Sequence, residues 1–323
     1  MNLAMSTEDW LGFLRREYLE TCIREGGAST KFCVPLTDLA RETLYRGLRG
    51  HADSLGYVFA EVDSSETRAN LVDHIFFRVA EQIEWDQLGR RVLAALCELN
   101  KFQLPDCGEK PFYEAVAERN GMDSKAALIL LRQKLTDHVF RRPALARDFR
   151  IAMFQICYAQ LTGSPDGTVA VSVLSDWLTG RNKNISAVKP YNIFNRITRA
   201  NARHFIESLF QWVRIAGYPG TIVQLDIHRV ATSKNPKDDL LYYTSAALLD
   251  VYEVLREFID ATDRLSGSLL VVVPDESFLD EENTSRGIGR YEALKFRIYD
   301  EVRSRQQVNP MAALVRLSSN AKG

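Results

Sequence analysis

The stretch KFCVPLTDLARETL, residues 31–44, is the most informative part of the sequence, because it leads from an apolar strand through a short loop into a helix. A phosphate-binding loop occurs in this context. Such a loop has the pattern G-x-x-x-x-G-K-[ST]: its glycines let backbone N–H groups surround phosphate, its lysine contacts the β- and γ-phosphates, and its hydroxyl holds Mg²⁺. Residues 31–44 therefore raise the question of whether a phosphate site has been retained.

The residues inside this loop depart from the pattern at every defining position. Pro35 and Ala40 occupy the glycine positions, Arg41 the lysine position and Glu42 the hydroxyl position. Proline has no N–H to donate, and alanine resists the positive φ angles that glycine adopts. Asp38 and Glu42 also place two carboxylates where a triphosphate would lie, and a like-charge pair at about 4 Å costs on the order of 1 kcal/mol in water. The sequence therefore predicts that ATP binds poorly.

Five short apolar runs are predicted strands: KFCVPL (31–36), YVFAEVD (57–63), TIVQLDI (221–227), SLLVVVP (268–274) and AALVRLS (312–318). Their nearly continuous apolar character is typical of strands that are buried on both faces of a parallel sheet. Helical spacing of apolar residues is found at 39–55, 244–265 and 291–305. This alternation predicts an α/β fold in which helices flank a parallel five-stranded sheet.

The long interval between the second and third strands has helical spacing and weak strand signals. It is too long for a simple crossover and is broken by turn-forming stretches at 103–111 and 161–167. We therefore predict three segments: residues 1–84 as the N-terminal part of the α/β core, 85–190 as a helical insertion, and 191–323 as the C-terminal part of the core.

Composition excludes several classes of function. Lys and Arg total 41 against 42 Asp and Glu, a net charge of −1, so overall charge favours neither nucleic acid nor an anionic membrane. The five cysteines lack CxxC spacing and the five histidines lack HxxxH spacing, so free thiols and the absence of a metal site are expected. No signal core or membrane-spanning stretch is evident, which favours a cytoplasmic protein.

The third apolar run, TIVQLDI, ends close to an acidic residue, Asp226, as does the strand that carries a Mg²⁺-binding aspartate in P-loop ATPases. Many buried strands also end in a capping aspartate, so this feature alone has two readings. Hydrolysing proteins carry a glutamate next, which activates water, whereas this chain has Ile227. His228 follows and is the histidine nearest to the presumed site, where a purely structural role is the simpler interpretation.

A family resemblance rests on four stretches: NARHFIESLFQWVRIAGYPGTIVQLDIHRV (201–230), LLDVYEVLREFIDATDRLSGSLLVVVPDESFLDE (248–281), RYEALKFRI (290–298) and FLRREYLETCIREGGASTKFCV (13–34). Together they resemble the ATP-binding-domain proteins of BREX-type phage-defence systems, which are AAA+/STAND-like P-loop ATPases. The resemblance covers about residues 10–84 and 195–318. It implies a P-loop-like sheet with strand order 5-1-4-3-2, a defence-associated role, and an arginine finger for which Arg290 and Arg297 are candidates. An ordinary helix-surface arginine is the alternative for both.

A basic stretch lies at 177–206, WLTGRNKNISAVKPYNIFNRITRANARHFI, which contains no acidic residue. Spacing of i, i+3 and i+7 predicts one helical face for its last three arginines, with Tyr191 and Phe194 nearby for stacking. Such a face suits nucleic-acid phosphates or an acidic protein surface, and the net charge of −1 favours the protein. The cations that form this candidate interface are Arg181, Lys183, Lys189, Arg196, Arg199 and Arg203.

Three functional hypotheses follow. The first is a non-hydrolysing P-loop-like subunit that acts as a scaffold or regulator in a bacterial defence complex, without a cofactor and without a lid domain. The second is an atypical ATPase in which Arg41 and Asp226 still bind phosphate and Mg²⁺. The third is a nucleic-acid-binding module that uses the basic stretch. Expected partners are other defence proteins, among them a related active ATPase, a helicase or a second copy of the chain, with nucleic acid as a further candidate and no membrane.

Overall fold

The computed structural model describes residues 4–104, 110–232, 235, 237–280, 286–299 and 308–319. The chain divides into an α/β unit, Met1–Val79 with Tyr218–Gly323, and a helical unit, Ala80–Gly217. The helical unit is therefore inserted into the α/β unit along the chain, and it extends further in both directions than residues 85–190. Within the described residues, no helix has the length and apolar character needed to cross a membrane.

The described part of the α/β unit contains one sheet of six parallel strands, in the order β1-β6-β2-β5-β4-β3. The strands are β1 Met5–Ser6, β2 Ala28–Pro35, β3 Val58–Asp63, β4 Thr221–Asp226, β5 Ser268–Val273 and β6 Leu314–Ser318. The parallel sheet and all five predicted strands are confirmed, and these five have the order 5-1-4-3-2. The predicted number of strands is wrong, because the two-residue strand β1 pairs with β6 through Met5 and Leu317.

Helices cover both faces of the sheet. Every residue of the central strands β4 and β5 is therefore buried. On one face the side chains of two helices, α1 (Thr7–Leu14) and α2 (Asp38–Leu55), pack against apolar residues of the central strands. The cluster includes Trp10, Leu14, Leu44, Leu48, Ile222, Leu269 and Val271. On the other face Phe32 of β2 stacks on Phe278 with ring centroids 6.1 Å apart. Tyr252 contacts the same Phe278 ring edge-on at 5.6 Å.

The helices of the α/β unit begin and end largely as the spacing predicts. They are α1 Thr7–Leu14, which continues as a π-helical segment Arg15–Cys22, α2 Asp38–Leu55, α3 Val72–Ala80, α10 Ser245–Asp260 and α11 Glu292–Ile298. Gly56, with a φ of 74°, ends α2 in the left-handed conformation that glycine accepts freely. Helix α10 ends at Asp260 rather than at residue 265, and the predicted continuation of α11 across 300–305 lies outside the described residues.

The helical unit is built around an aromatic cluster centred on Phe149. Its ring contacts Trp85 at 6.3 Å, Phe205 at 6.0 Å and Trp212 at 6.5 Å between centroids, all edge-on. Because Phe205 and Trp212 lie on α9, this last helix belongs to the helical unit. The helices of the unit are α4 Trp85–Leu99, α5 Phe112–Arg119, α6 Ser124–Leu135, α7 Arg147–Thr162, α8 Pro165–Leu178 and α9 Ala202–Ile215. Cys107 and the centre of the predicted turn at 103–111 lie outside the described residues.

Candidate functional site

The connection between β2 and α2 consists of only two residues, Leu36 and Thr37. The backbone N–H of Leu36 donates to the carbonyl oxygen of Leu317 at 2.8 Å, which extends the pairing with β6. The hydroxyl of Thr37 accepts the N–H of Ala40 at 3.1 Å and caps the helix. A phosphate-binding loop needs several residues whose N–H groups point inward, and this turn is too short to supply them.

Each residue aligned with the phosphate-loop pattern therefore lies in a strand or a helix. Pro35 is the buried last residue of β2. Ala40, which is fully buried, and Arg41 belong to the first turns of α2. Asp38 and Glu42 are exposed on the same helix. The side chain of Arg41 reaches Asp226 and Asp275, which lie at the carboxyl ends of β4 and β5.

Asp226 is the last residue of β4 and is the centre of a polar cluster at that end. Its carboxylate is buried, with 5% of the residue exposed. The Oδ1 atom accepts hydrogen bonds from the backbone N of His228 at 2.9 Å and from His228 Nδ1 at 2.7 Å. The Oδ2 atom accepts a hydrogen bond from the hydroxyl of Tyr45 on α2. Arg41 Nη1 lies 3.8 Å from Oδ1, so both carboxylate oxygens have partners from the chain itself.

The ionised form of Asp226 is favoured by these partners. Burial on its own raises the pKa of this carboxyl group. The hydrogen bonds and charge of His228, together with the hydrogen bond from Tyr45, outweigh burial and lower the pKa below its ordinary value. Burial and the negative charge of Asp226 raise the pKa of Tyr45, so its hydroxyl remains a donor. Asp226 is therefore a fully engaged carboxylate at neutral pH.

A second carboxylate, Asp275, lies two residues beyond β5 and contacts the same arginine. Arg41 Nη2 is 3.9 Å from Asp275 Oδ2, so the guanidinium bridges two carboxylates. The side chain of Asp275 is about half exposed and also accepts the N–H of Ser277 at 3.0 Å. The guanidinium of Arg41 therefore has two negatively charged partners at the carboxyl ends of β4 and β5. Within the described residues, no group of three or more His, Cys, Asp or Glu side chains is arranged to hold a metal ion.

Sequence reasoning identified Asp226, His228 and Arg41 but missed Tyr45 and Asp275. Tyr45 follows Arg41 by four residues, so both lie on one face of α2. Asp275 follows a parallel strand, and the carboxyl ends of parallel strands meet at one edge of the sheet. These two signals were present in the sequence and predict that the side chains converge there.

The proposed arginine finger Arg297 is engaged within the chain. Its Nη2 lies 2.9 Å from Asp260 Oδ2, its Nε also contacts Asp260, and its Nη1 donates to the carbonyl oxygen of Ala293 at 2.7 Å. Arg297 therefore links α11 to α10 and has its guanidinium engaged by Asp260 and Ala293. Arg290, in a short 3₁₀ turn, likewise interacts within the chain.

The basic stretch is not the helical face that its spacing predicts. Helix α9 begins only at Ala202, so Arg196 and Arg199 precede it and do not share a helical face with Arg203. The side chain of Asn201 bonds the N–H of Thr198 and the carbonyl oxygen of Arg196, which replaces helical hydrogen bonding here. Lys183, Lys189, Arg196 and Arg199 are exposed, as is Arg181, which borders a groove that is also lined by Glu84, Asp86 and Asp176.

The sheet and the position of the cluster define the class of protein. A parallel sheet with flanking helices, a strand–turn–helix unit and an aspartate at the end of β4 fits a P-loop-like α/β fold. The family model described as "BREX system ATP-binding protein BrxC/D" matches residues 112–322, more than half of the chain. The chain belongs to this family. No significant match was found among curated proteins or among solved structures.

The match covers one side of the polar cluster. Asp226, His228 and Asp275 lie within the matched residues, whereas Arg41 and Tyr45 on α2 precede them. Membership of this family links the chain to a BREX-type phage-defence system and to the other components of that system as partners.

Proposed function

We propose that this chain is a non-hydrolysing, P-loop-like subunit of AAA+/STAND type that acts as a scaffold or regulator in the cytoplasmic assembly of a BREX-type defence system. The observation that carries the proposal is the set of contacts among the chain's own side chains at the carboxyl ends of β4 and β5, where the alternative function would need phosphate and Mg²⁺. Arg41 bridges Asp226 and Asp275, and Tyr45 and His228 occupy the oxygens of Asp226. The family description supplies the defence context.

Phosphate binding lacks its backbone donors. The N–H of Leu36 is bonded to Leu317, and the N–H groups of Ala40 and Arg41 are bonded to the side chain and carbonyl oxygen of Thr37. The attraction of the helix N-terminus for an anion, roughly 0.3–1 kcal/mol, is opposed by the exposed carboxylates of Asp38 and Glu42. A triphosphate would therefore meet a capped helix and negative charge.

The side chains that would bind Mg²⁺ or activate water are also engaged or replaced. A metal ion at Asp226 would have to displace Tyr45 or His228, which are both hydrogen-bonded to the carboxylate. Ile227, in the position of the water-activating glutamate, is 2% exposed and its N–H is bonded to the carbonyl oxygen of Val273. No carboxylate next to Asp226 in the chain is therefore available as a general base.

The alternative is an atypical ATPase in which Arg41 turns to phosphate and Asp226 to Mg²⁺. This function requires the cluster to open, and Tyr45→Phe is the smallest change that frees one oxygen of Asp226. If the cluster only blocks a competent site, Tyr45→Phe should give or strengthen binding of Mg-ATP. If the site is absent, the variant should bind no better than the unmodified chain.

Isothermal titration calorimetry with Mg-ATP tests the proposal on the full chain. We expect no saturable heat in the micromolar range for the unmodified chain, for Tyr45→Phe or for the triple variant Pro35→Gly, Ala40→Gly, Glu42→Thr, because the two-residue turn remains too short. Tyr113→Phe, which removes a hydroxyl bonded to Glu114 in the helical unit, is the matched control. Micromolar binding that Asp226→Asn abolishes would contradict the proposal.

Co-purification of partner proteins tests the scaffold role. A tagged chain expressed with its genomic neighbours should retain a defence protein, and we expect a related active ATPase, a helicase or a second copy of the chain to co-elute. Arg41→Ala opens the bridge between Asp226 and Asp275 and should weaken that retention if the cluster holds the surface in its binding form. Retention of no defence protein by the unmodified chain would contradict the scaffold role.

A further inference from the structure

The connection between α8 and α9 is an ordered, irregular segment of the helical unit. It contains two short 3₁₀ turns, Ile185–Ala187 and Lys189–Tyr191. From the second turn to the start of α9 it has neither a helix nor a strand. We call residues 181–197 the basic strap. Three apolar side chains hold it to the unit: Val188 and Ile193 are fully buried, and Ile197 is 7% exposed.

Polar contacts fix the shape of the basic strap. Asn195 Nδ2 donates to Asp148 Oδ2 at 2.8 Å, and this carboxylate on α7 is buried at 6% exposure. Asn184 Oδ1 accepts the N–H of Ser186 at 3.1 Å, and Asn192 adopts a left-handed conformation with a φ of 64°. A segment that is held in this way loses little further conformational entropy when it binds a ligand.

The basic strap carries an exposed aromatic ring and several exposed cations. Phe194 is 55% exposed, and Lys183, Lys189 and Arg196 are exposed. Within the part of the chain that the structure describes, none of these three cations forms an ion pair. The carboxylate of Asp148 is bonded to Asn195 and Arg147, and the acidic side chains of Glu84, Asp86 and Asp176 line the groove at Arg181, a residue that the proposal below does not use. Phe194 and Arg196 are two residues apart, so their Cα atoms are at most about 7 Å from each other.

We propose that the basic strap binds single-stranded nucleic acid. The ring of Phe194 stacks on a base, and Lys183, Lys189 and Arg196 contact consecutive stretches of the phosphate backbone. Exposed aromatic rings beside cations are the usual elements of single-strand binding, because every base has a π-face and the backbone has a regular charge.

The same observations disfavour duplex DNA. Reading a duplex in the major groove requires a helix or a two-stranded ribbon that enters the groove, and the basic strap is neither. Stacking on Phe194 requires an unstacked base, which a single strand offers and a duplex does not. An acidic protein surface could satisfy the cations but leaves the exposed ring of Phe194 without a matching group.

Fluorescence anisotropy of a labelled oligothymidine of about 20 nucleotides, and of a duplex of the same length, tests the proposal on the full chain. Three phosphate contacts on a single strand predict a slope of log K against log salt of about −2, hence about 20-fold weaker binding at 200 mM than at 50 mM salt. Phe194→Ala should weaken binding at least about fivefold without changing this slope. The double variant Lys189→Gln, Arg196→Gln should reduce the slope by about 1.4.

Matched controls separate the basic strap from general charge and exposure. Phe296→Ala removes a ring of the α/β unit that is 72% exposed, and the double variant Lys125→Gln, Lys134→Gln removes two cations of α6. Both control variants should bind the strand as the unmodified chain does. Circular dichroism spectra of all variants should coincide, because the changed side chains are exposed or partly exposed.

Three outcomes would overturn the proposal. The first is no strand binding at about 50 mM salt with protein at tens of micromolar. The second is binding that both strap variants leave unchanged, or that is as strong for the duplex and insensitive to Phe194→Ala. The third is loss of a co-purified acidic protein in the charge variant, together with no strand binding by the unmodified chain, which would make the basic strap a protein-binding surface.

Discussion

The substitution Asp226→Asn distinguishes a structural carboxylate from one that is kept ready for Mg²⁺. Asparagine has nearly the same shape as aspartate but carries no charge. The buried carboxylate accepts hydrogen bonds from Tyr45 and, twice, from His228, and it faces Arg41 at 3.8 Å. If these contacts are the role of Asp226, its neutralisation must destabilise the α/β unit.

The size of the effect follows from the hydrogen bonds. A hydrogen bond to a charged group contributes about 1.5–3 kcal/mol and one between neutral groups about 1, so neutralisation weakens the three bonds by roughly 3 kcal/mol in total. Relief of the buried charge returns part of this loss. The contacts with His228 and Tyr45 lower the pKa of Asp226 despite its burial, so the folded chain favours the charged form and we expect its neutralisation to be destabilising. We expect a net loss of about 2 kcal/mol in the free energy of unfolding.

Hydrogen exchange followed by mass spectrometry measures this loss, because peptides from β4 and β5 report the opening of the α/β unit separately from the helical unit. Asp275→Asn is the matched control: its side chain is about half exposed, 3.9 Å from the same Arg41, and asparagine can still cap Ser277. We expect this control to change the free energy of opening by less than about 0.5 kcal/mol.

The pH dependence gives a second measurement of the same effect. A lowered pKa contributes stability that is present above the unfolded value, about 3.9, and is lost as the pH falls through the folded value. The advantage of the unmodified chain over Asp226→Asn should therefore disappear in acid. An Asp226→Asn variant as stable as the unmodified chain or more stable, with stabilisation of the unmodified chain by Mg-ATP, would refute the structural role.

Two further predictions concern β2 and α2. Lys31 is buried at 4% exposure, where its Nζ donates to the carbonyl oxygen of Met311 at 2.6 Å, and burial lowers its pKa to about 8. The unfolded lysine keeps its proton up to about pH 10.4, so urea unfolding should show the free energy of unfolding rising by up to about 3 kcal/mol between about pH 8 and this pH. The rise should be absent in Lys31→Met. An equal rise in that variant would contradict the assignment to Lys31. Thr37→Ala removes the cap of α2 and should lower the protection of its first turn by about 1 kcal/mol in hydrogen exchange, whereas Thr37→Ser should retain it.

The candidate site could be predicted in part. Asp226 was found because an apolar strand ends there, and Arg41 because it stands in the lysine position of a known pattern. That Arg41 forms ion pairs with Asp226 and Asp275, and that Tyr45 completes the cluster, depends on how close α2 lies to the ends of β4 and β5. Such distances between segments remote in sequence are set by packing of the sheet and cannot be read from local spacing.

The prediction of one helical face for the basic stretch was wrong for a related reason. The i, i+3, i+7 spacing describes only the positions of three charged residues. A helix is specified instead by its apolar face and by the capping of its ends. Asn192, Asn195 and Asn201 bond to the backbone or to Asp148 and hold residues 192–201 outside the helix. The stretch itself contains no acidic residue, but folding brings acidic residues from other segments close to it. Glu84, for example, lines the same groove as Arg181.

The sequence by itself determined the parallel sheet, since strands buried on both faces are apolar almost throughout. It also determined that residues 35–42 lack the glycines, the lysine and the hydroxyl of the phosphate-loop pattern. Tertiary structure alone decided the two-residue strand β1, which is too short to have a pattern and exists only because β6 offers it hydrogen bonds. It also decided that Arg41 pairs with Asp226, because the partner of a charge is chosen by proximity in the folded chain and not by order along it.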